Sequence, residues 1–157
     1  MNVLIDTNIA LDVLLQRELF FEDSQLVLLA AEQKYINGFI SASAVTDIFY
    51  ITNRALRDKS ATYSLLREHL MGTVGIATVD GSHISKALDL EWDDFEDCVH
   101  FTVGESVAAD YIVTRNPKDY DEGQIKAITP GELLDVIAPI EFLARVSEAE
   151  SKNVPLF

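Results

Sequence analysis

The first twelve residues, MNVLIDTNIALD, constrain the fold more than any other stretch of the chain. Residues 3–5 form an apolar run with β-branched members, which is typical of a short strand buried on both faces. Thr7 and Asn8 are residue types that begin helices, and apolar positions continue from Ile9. Asp6 therefore lies where a central strand passes into a helix, at the edge of an open α/β sheet where ligands bind. The alternative is that Asp6 only caps the helix.

Strand-like and helix-like segments alternate along the rest of the chain. Such alternation predicts a mostly parallel sheet with helices on both faces and right-handed crossovers. Ser43 and Ser60 are the predicted caps of two helices. Thr129 and Glu132 form a capping box around Pro130, which takes the first helical position. Further strands are predicted at residues 38–41, 74–78, 111–114 and 125–128.

Length and charge narrow the class of protein. A chain of 157 residues suits one domain, which we expect to span residues 1–138, followed by a partly helical extension at 139–157 whose Phe142 and Leu143 could contact a partner. The net charge of −14 argues against a protein that binds nucleic acid through a broad basic surface. It is compatible with an acid-lined site that recruits cations, and with a basic protein partner.

The number of cysteines and the hydropathy of the chain indicate the cellular compartment in which the protein is expected. The single cysteine, Cys98, excludes an internal disulfide framework and a thiolate zinc cluster, so a reducing compartment is expected. No apolar run reaches the length of a membrane span, and the N-terminus lacks a signal-peptide pattern. We therefore expect a cytoplasmic protein with no membrane association.

Carboxylate and amide side chains fall near the predicted ends of strands and helices. Because the carboxyl ends of parallel strands meet at one edge of a sheet, these side chains are expected to converge. Carboxylates in one place repel one another unless a cation lies between them, and a site with only oxygen ligands favours Mg²⁺ or Mn²⁺. That chemistry suits phosphodiester hydrolysis by a metal-activated water. The residues concerned are Asp6, Asp47, Asp94, Asp97, Asn116 and Asp119.

Several of these residues, and others near them, also have simpler interpretations than a metal-dependent site. Asp94 could be only a helix cap, and Asp12 is expected at the surface. His100 lies one helical turn after Asp97 and could reach the site, although a structural histidine is the simpler interpretation. The other acids of the stretch, at positions 89, 91, 93 and 96, are interpreted as a solvated run. Trp92 and Phe95 could stack on a base, or they could close the core.

Four ordered blocks resemble the PIN-domain nucleases, and among them the bacterial toxin-like branch related to VapC. The blocks are LIDTN at 4–8, SASAVTD at 41–47, DFED at 94–97 and DYIVTRNPKDY at 110–120. The resemblance covers roughly residues 1–137. It implies a three-layer α/β/α sandwich with a five-stranded parallel sheet in the order 3-2-1-4-5.

The resemblance also implies roles for individual residues. Asp6, Asp47 and Asp97 match the metal-binding acids, although Asp47 stands where most members have glutamate. Asn116 stands where many members have a fourth acid, and Asp119 could supply that charge. Asp94 supports the same cluster. Thr7, Asn8 and Thr114 match groups that orient the carboxylates, and Arg115 and Lys118 flank the site as possible RNA contacts.

The function expected from the resemblance is Mg²⁺- or Mn²⁺-dependent endonucleolytic cleavage of RNA. The biological setting would be the toxin of a toxin–antitoxin pair, working as a homodimer with a basic antitoxin partner. The first alternative is a PIN-fold RNA- or protein-binding module that has lost catalysis. The second is a phospho-accepting receiver domain, which is disfavoured because Asp6 stands alone after the first strand and Thr129-Pro130 follows the fifth.

Overall fold

A parallel sheet forms the middle layer of the structure, a computed structural model that describes residues 1–137. Its strands are β1 (Asn2–Ile5), β2 (Asn37–Ser41), β3 (Gly75–Ala77), β4 (Tyr111–Val113) and β5 (Lys126–Ile128). Their order across the sheet is β3-β2-β1-β4-β5, and all neighbouring pairs are parallel. The predicted sheet and its order are therefore confirmed. β1 and β4 are neighbours where the order reverses, which is where open α/β sheets bind ligands.

Helices cover the sheet between successive strands. Together with a short 3₁₀ turn at Pro117–Tyr120, they account for the regular structure outside the sheet within residues 1–137. None of these helices is both long and apolar enough to cross a bilayer. The helices are α1 (Thr7–Leu14), α2 (Phe21–Glu32), α3 (Ala42–Leu56), α4 (Lys59–His69), α5 (Gly81–Leu90), α6 (Phe95–Ser106) and α7 (Pro130–Ile137).

Two apolar cores lie on opposite faces of the sheet, because side chains alternate along each strand. Val3 and Ile5 of β1 point into a core shared with α1, α2, α3, α4 and α7. Leu4, between them, points into a second core with α5 and α6, where Trp92 packs on Phe101 with ring centroids 4.9 Å apart. Trp92 therefore closes the core, as the simpler interpretation held.

Helix caps show where local sequence rules succeeded and failed. Thr129 and Glu132 form the predicted capping box, with the Thr129 backbone N–H donating to the Glu132 carboxylate at 2.8 Å. The prediction of Ser43 as a cap was wrong. Helix α3 follows β2 without a loop, so the last strand residue, Ser41, caps it by accepting from the Ala44 N–H at 3.1 Å.

The prediction of Ser60 as a cap was also wrong. The carboxylate of Asp58 accepts from the Ala61 N–H at 3.0 Å, so α4 begins at Lys59, before the serine. The predicted helix after residue 140 and the extension at 139–157, with Phe142 and Leu143, lie outside the described residues.

The close packing of β2 gives a test of the fold. A methyl group on Gly38 would meet the Ala31 Cβ at 2.9 Å and the Ile5 Cδ1 at 3.0 Å, whereas one on Gly81 would meet nothing within 4 Å. Gly38→Ala should lower the free energy of unfolding by about 1–3 kcal/mol because it overpacks the core. Gly81→Ala should change it by no more than about 1 kcal/mol. Equal denaturation midpoints for the two variants would contradict this packing.

Candidate active site

Asp6 lies at the junction of β1 and α1, with only 9% of its surface exposed. Its backbone is extended and occupies the cap position of α1, but its side chain makes no capping hydrogen bond. The interpretation of Asp6 as a simple helix cap was therefore wrong. Its Oδ2 instead accepts from the Thr114 hydroxyl at 2.6 Å and from the Asn8 amide. Two side-chain donors hold this carboxylate at the edge of the sheet.

Asn8 and Thr114 also bond to each other and to the chain that follows β4. The Asn8 amide donates to Thr114 Oγ1 at 3.0 Å, and the backbone N–H of Arg115 donates to Asn8 Oδ1 at 3.3 Å. The backbone N–H of Asn116 donates to Thr114 Oγ1 at 3.1 Å. These contacts fix the loop after β4 against the first turn of α1. Thr7 begins α1 and is half-buried, and its side chain takes part in none of these bonds.

Asp97 reaches the same edge from α6. Its Oδ1 accepts from the Tyr120 hydroxyl at 3.1 Å. Burial raises the pKa of Asp97, the negative charges of Asp6 and Asp94 add to the rise, and the Tyr120 hydrogen bond opposes it, so that the pKa is about 7. Burial together with the charges of Asp6 and Asp97 also raises the pKa of Tyr120, so its hydroxyl remains a donor. Asp6 and Asp97 therefore lie close enough for their negative charges to repel each other.

Asp94 caps α6. Its Oδ1 accepts from the backbone N–H groups of Glu96 at 2.9 Å and Asp97 at 3.2 Å, as the simpler interpretation held. Asp94 also borders an acidic cleft of 290 Å³ that opens beside Asp97. The lining residues of this cleft are Trp92, Asp93, Asp94, Asp97, Lys118, Asp119 and Glu122.

Glu96 is exposed, as expected for a solvated run, but it also belongs to the site electrostatically. Partial burial raises its pKa, and the charges of Asp47, Asp94 and Asp6 raise it further. Asp47, half-buried on α3, is therefore close enough for its charge to act on Glu96 of α6. Neighbouring residues on a helix point about 100° apart, so the sequence alone could not say whether Glu96, Asp97 or both would face Asp47.

Asn116 and Asp119 border the site from the 3₁₀ turn. Both side chains are exposed, and Asn116 precedes Pro117 at the start of the turn. Asp119 contributes to the raised pKa of Asp97 and of Tyr120, so its charge reaches the cluster. Lys118, between them, lines the acidic cleft.

Asp12 was expected at the surface, and that expectation was wrong. Its side chain is fully buried, and Oδ1 lies 3.3 Å from the Arg17 guanidinium and 3.4 Å from that of Arg115. The Ser24 hydroxyl donates to its other oxygen at 3.2 Å. Two cations and one hydroxyl compensate the buried charge, which is the usual condition for a carboxylate in a core. The Arg115 guanidinium also lies 4.5 Å from the centre of the Phe20 ring.

The side chains of the site differ from a preformed metal cage. Among residues 1–137, no three His, Cys, Asp or Glu side chains are arranged so that they could hold a metal ion in this conformation. The chemistry of these side chains nevertheless fits a hard divalent cation, because they offer carboxylate oxygens, and neighbouring negative charges raise the pKa of Glu96 and of Asp97. A cation between them would remove that repulsion.

The family assignment follows from sequence as well as from this geometry. The family model described as "PIN domain" matches residues 2–118. The chain therefore belongs to the PIN domain family, and the resemblance inferred from its four blocks is confirmed. Among curated proteins, no sequence matches.

Solved structures share the fold at low sequence identity. A chain of a toxin–antitoxin complex from Klebsiella pneumoniae is 20% identical, with a TM-score of 0.60 over 82% of this chain and 97% of that one. VapBC2 from Rickettsia felis, bound to a fragment of its promoter DNA, gives 15% identity and a TM-score of 0.64 over 82% and 98%. VapC20 from Mycobacterium tuberculosis, described as a toxin that cleaves the sarcin-ricin loop, gives 12% identity and 0.58 over 70% and 86%.

The raised pKa of Asp97 predicts how stability depends on pH without metal. The pKa lies at about 7 in the folded protein and near 4 in an unfolded chain. The stabilising contribution of the protonated form is therefore present below about pH 4 and is lost progressively as the pH rises from about 4 to about 7. Asp97→Asn cannot titrate, so its melting temperature in EDTA should gain on that of the wild type between about pH 4 and pH 7 and then stay level. A difference in melting temperature that stays constant with pH would contradict the assignment.

Proposed function

We propose that this protein is a divalent-metal-dependent endoribonuclease that hydrolyses phosphodiester bonds. The observation that carries the proposal is the proximity of Asp6, at the end of β1, to Asp97, on α6: burial first and then the charge of Asp6 raise the pKa of Asp97, which is about 7. Carboxylates that repel one another at the switch point of a parallel sheet suit a site that neutralises charge with a cation. Membership of the PIN domain family supports the same reaction class.

Each side chain has a distinct part in this proposal. Asp6, Asp47 and Asp97 would hold Mg²⁺ or Mn²⁺, with Asp94, Asn116 and Asp119 supporting them. When bound, such a cation supplies Lewis acidity and an activated water for hydrolysis. The protein's own contribution is orientation: Thr114 and Asn8 fix the Asp6 carboxylate, and Tyr120 fixes that of Asp97. Buried donors of this kind keep carboxylates in one rotamer and exclude unproductive arrangements.

RNA as the substrate is supported by similarity, and the acidity of the chain sets a condition on how RNA could bind. A chain with a net charge of −14 does not attract a phosphate backbone by itself, so a bridging cation is needed at the site. Lys118 lines the acidic cleft and could contact a phosphate, whereas Arg115 is already bound to Asp12 and Phe20. One structural neighbour is described as a toxin that cleaves the sarcin-ricin loop. An RNA substrate would place the protein in the cytoplasm.

The toxin of a toxin–antitoxin pair is the proposed biological setting. Two of the structural neighbours belong to toxin–antitoxin complexes. The acidity of this chain would suit a basic antitoxin partner. A homodimer is proposed from an exposed apolar surface on α3 and α4, which includes a groove of 350 Å³. The groove is lined by Val45, Thr46, Phe49, Tyr50, Tyr63 and Leu66.

A PIN-fold binding module without catalysis is the rival, and two departures favour it: Asp47 replaces the usual glutamate, and Asn116 replaces an acid. Mn²⁺ titration separates the two functions. If the site is competent, binding to the folded state alone should raise the melting temperature as the Mn²⁺ concentration increases. A melting temperature unchanged up to millimolar Mn²⁺ would support the binding module.

Cleavage assays test the catalytic proposal directly. Asp97→Asn should reduce single-turnover cleavage of a structured RNA in Mn²⁺ by at least about a hundredfold, because it removes a proposed metal ligand. Asp93→Asn is the matched control: Asp93 lines the same cleft but is exposed. Its loss should change the rate by less than about fivefold, since an exposed charge contributes about 1 kcal/mol or less. Equal rates for the two variants would show that Asp97 is not a metal ligand.

Sedimentation tests the dimer. The wild type should sediment as a dimer at micromolar concentration, because Tyr50, 69% exposed on α3, and its neighbours leave apolar surface open to a second copy. Tyr50→Asp should shift the population to monomer. Leu88→Asp, at a position that is 61% exposed on α5, is the matched control and should leave the dimer intact. A monomeric wild type would refute the proposed homodimer.

A further inference from the structure

His100 is a buried polar side chain at the margin of the acidic cluster. Only 5% of its surface is exposed, and its Nδ1 lies 3.2 Å from the Ser41 hydroxyl oxygen. Ser41 ends β2 and caps α3, because its oxygen also accepts from the Ala44 N–H. The Ser43 hydroxyl lies 3.1 Å from the same oxygen. The imidazole on α6 is thus joined to the first turn of the helix that carries Asp47.

This contact joins two parts of the protein that otherwise pack on different neighbours. Helix α3 packs mainly on α1 and α4, whereas α6 packs mainly on α5. Within residues 1–137, His100 to Ser41 is the side-chain hydrogen bond that connects α6 with β2 or α3. The acids of the candidate site are divided between these same helices, with Asp47 on α3 and Asp97 on α6.

The imidazole of His100 has a buried polar atom that hydrophobic packing alone does not explain. His100 Nε2 is buried and has no hydrogen-bond partner within residues 1–137. A buried polar atom left unpaired lowers the stability of the fold, and an apolar side chain at the same position would avoid that loss. Burial lowers the pKa of His100, although the nearby charge of Asp6 opposes the shift, so the ring is neutral. A neutral ring has one N–H and one lone pair, so Nδ1 can either accept from the Ser41 hydroxyl or donate to it.

We propose that His100 is a positioning residue whose contact with Ser41 sets the distance between the metal-binding acids of α3 and those of α6. This inference rests on the proposed function, since the acids concerned are its metal ligands. His100 acts by holding the first turn of α3, and with it Asp47, at a fixed separation from Asp97.

Four variants isolate the contact. His100→Leu and Ser41→Ala each remove it, and His100→Gln keeps a side-chain amide that can bond to Ser41. Thr102→Val is the matched control, because Thr102 is a buried polar residue on α6 that bonds to Val99 and His83 rather than to α3.

The first measurement is Mn²⁺ affinity by isothermal titration calorimetry without RNA, beside melting curves in EDTA. His100→Leu and Ser41→Ala should each weaken Mn²⁺ binding by about tenfold, as expected when a group that orients ligands is lost. The double variant should bind no more weakly than Ser41→Ala, because His100 acts only through Ser41, whereas Ser41→Ala also removes the cap of α3. His100→Gln should stay close to the wild type. Thr102→Val should lower the melting temperature in EDTA and leave the Mn²⁺ affinity unchanged.

The second measurement needs no metal. Spin labels at Thr46→Cys on α3 and Ser106→Cys on α6, in a Cys98→Ala background diluted with unlabelled protein, report the separation of the helices in EDTA. The distance distribution should broaden or shift in His100→Leu and remain narrow in Thr102→Val. An unchanged distribution in His100→Leu would overturn the positioning role.

The two measurements distinguish the possible failures. If the wild type binds Mn²⁺ and His100→Leu binds it equally well, the inference about His100 is wrong and the proposed function stands. If the wild type does not bind Mn²⁺, the proposed function fails, and the role of His100 toward a metal site fails with it. The spin-label distances then still decide whether His100 sets the separation of α3 from α6.

Discussion

Repulsion between carboxylates at one edge of the sheet is the interaction on which the rest of the site depends. Asp6 and Asp97 lie close enough for the charge of one to raise the pKa of the other, and Tyr120 holds one of these carboxylates by a single hydrogen bond. Donors from Thr114 and Asn8 hold Asp6 at this edge. A fold that keeps like charges together stores free energy that a bound cation can release, so the surrounding hydrogen bonds serve mainly to prevent the acids from turning away.

The topology of the sheet explains why the repulsion is located at this edge. β1 and β4 are neighbours only because the strand order reverses between them, and both strands end at the same side. Helices α3 and α6 then bring Asp47 and Glu96 toward that side from the two layers. The buried ion pair of Asp12 with Arg115 lies behind it and anchors the loop after β4 to α1.

The sequence predicted the strands and helices better than it predicted the contacts of individual side chains. The strand order and the Thr129 capping box could be predicted because each depends on local patterns or on the ordered family blocks. The burial of Asp12 could not be predicted, since it depends on Arg17 and on Arg115, which lies far along the chain. Glu96 was missed for a related reason: its environment is set by Asp47 on another helix. The capping error at Ser43 arose because α3 starts directly at the end of β2, which spacing rules do not anticipate.

The acids at this edge of the sheet, and the side chains that hold them, come from distant parts of the chain. This separation determines when the acidic edge can form during biosynthesis. The hydrogen bond from Thr114 to Asp6 spans 108 residues, and Asn8 bonds across a similar separation. A nascent chain that has emerged only as far as β3 contains Asp6 and Asp47 but lacks Asp97, Thr114 and Tyr120. Because domains fold as units during synthesis, the acidic edge forms only when β4 pairs with β1. The complete set of acids and their donors is therefore absent until most of the domain has left the exit tunnel.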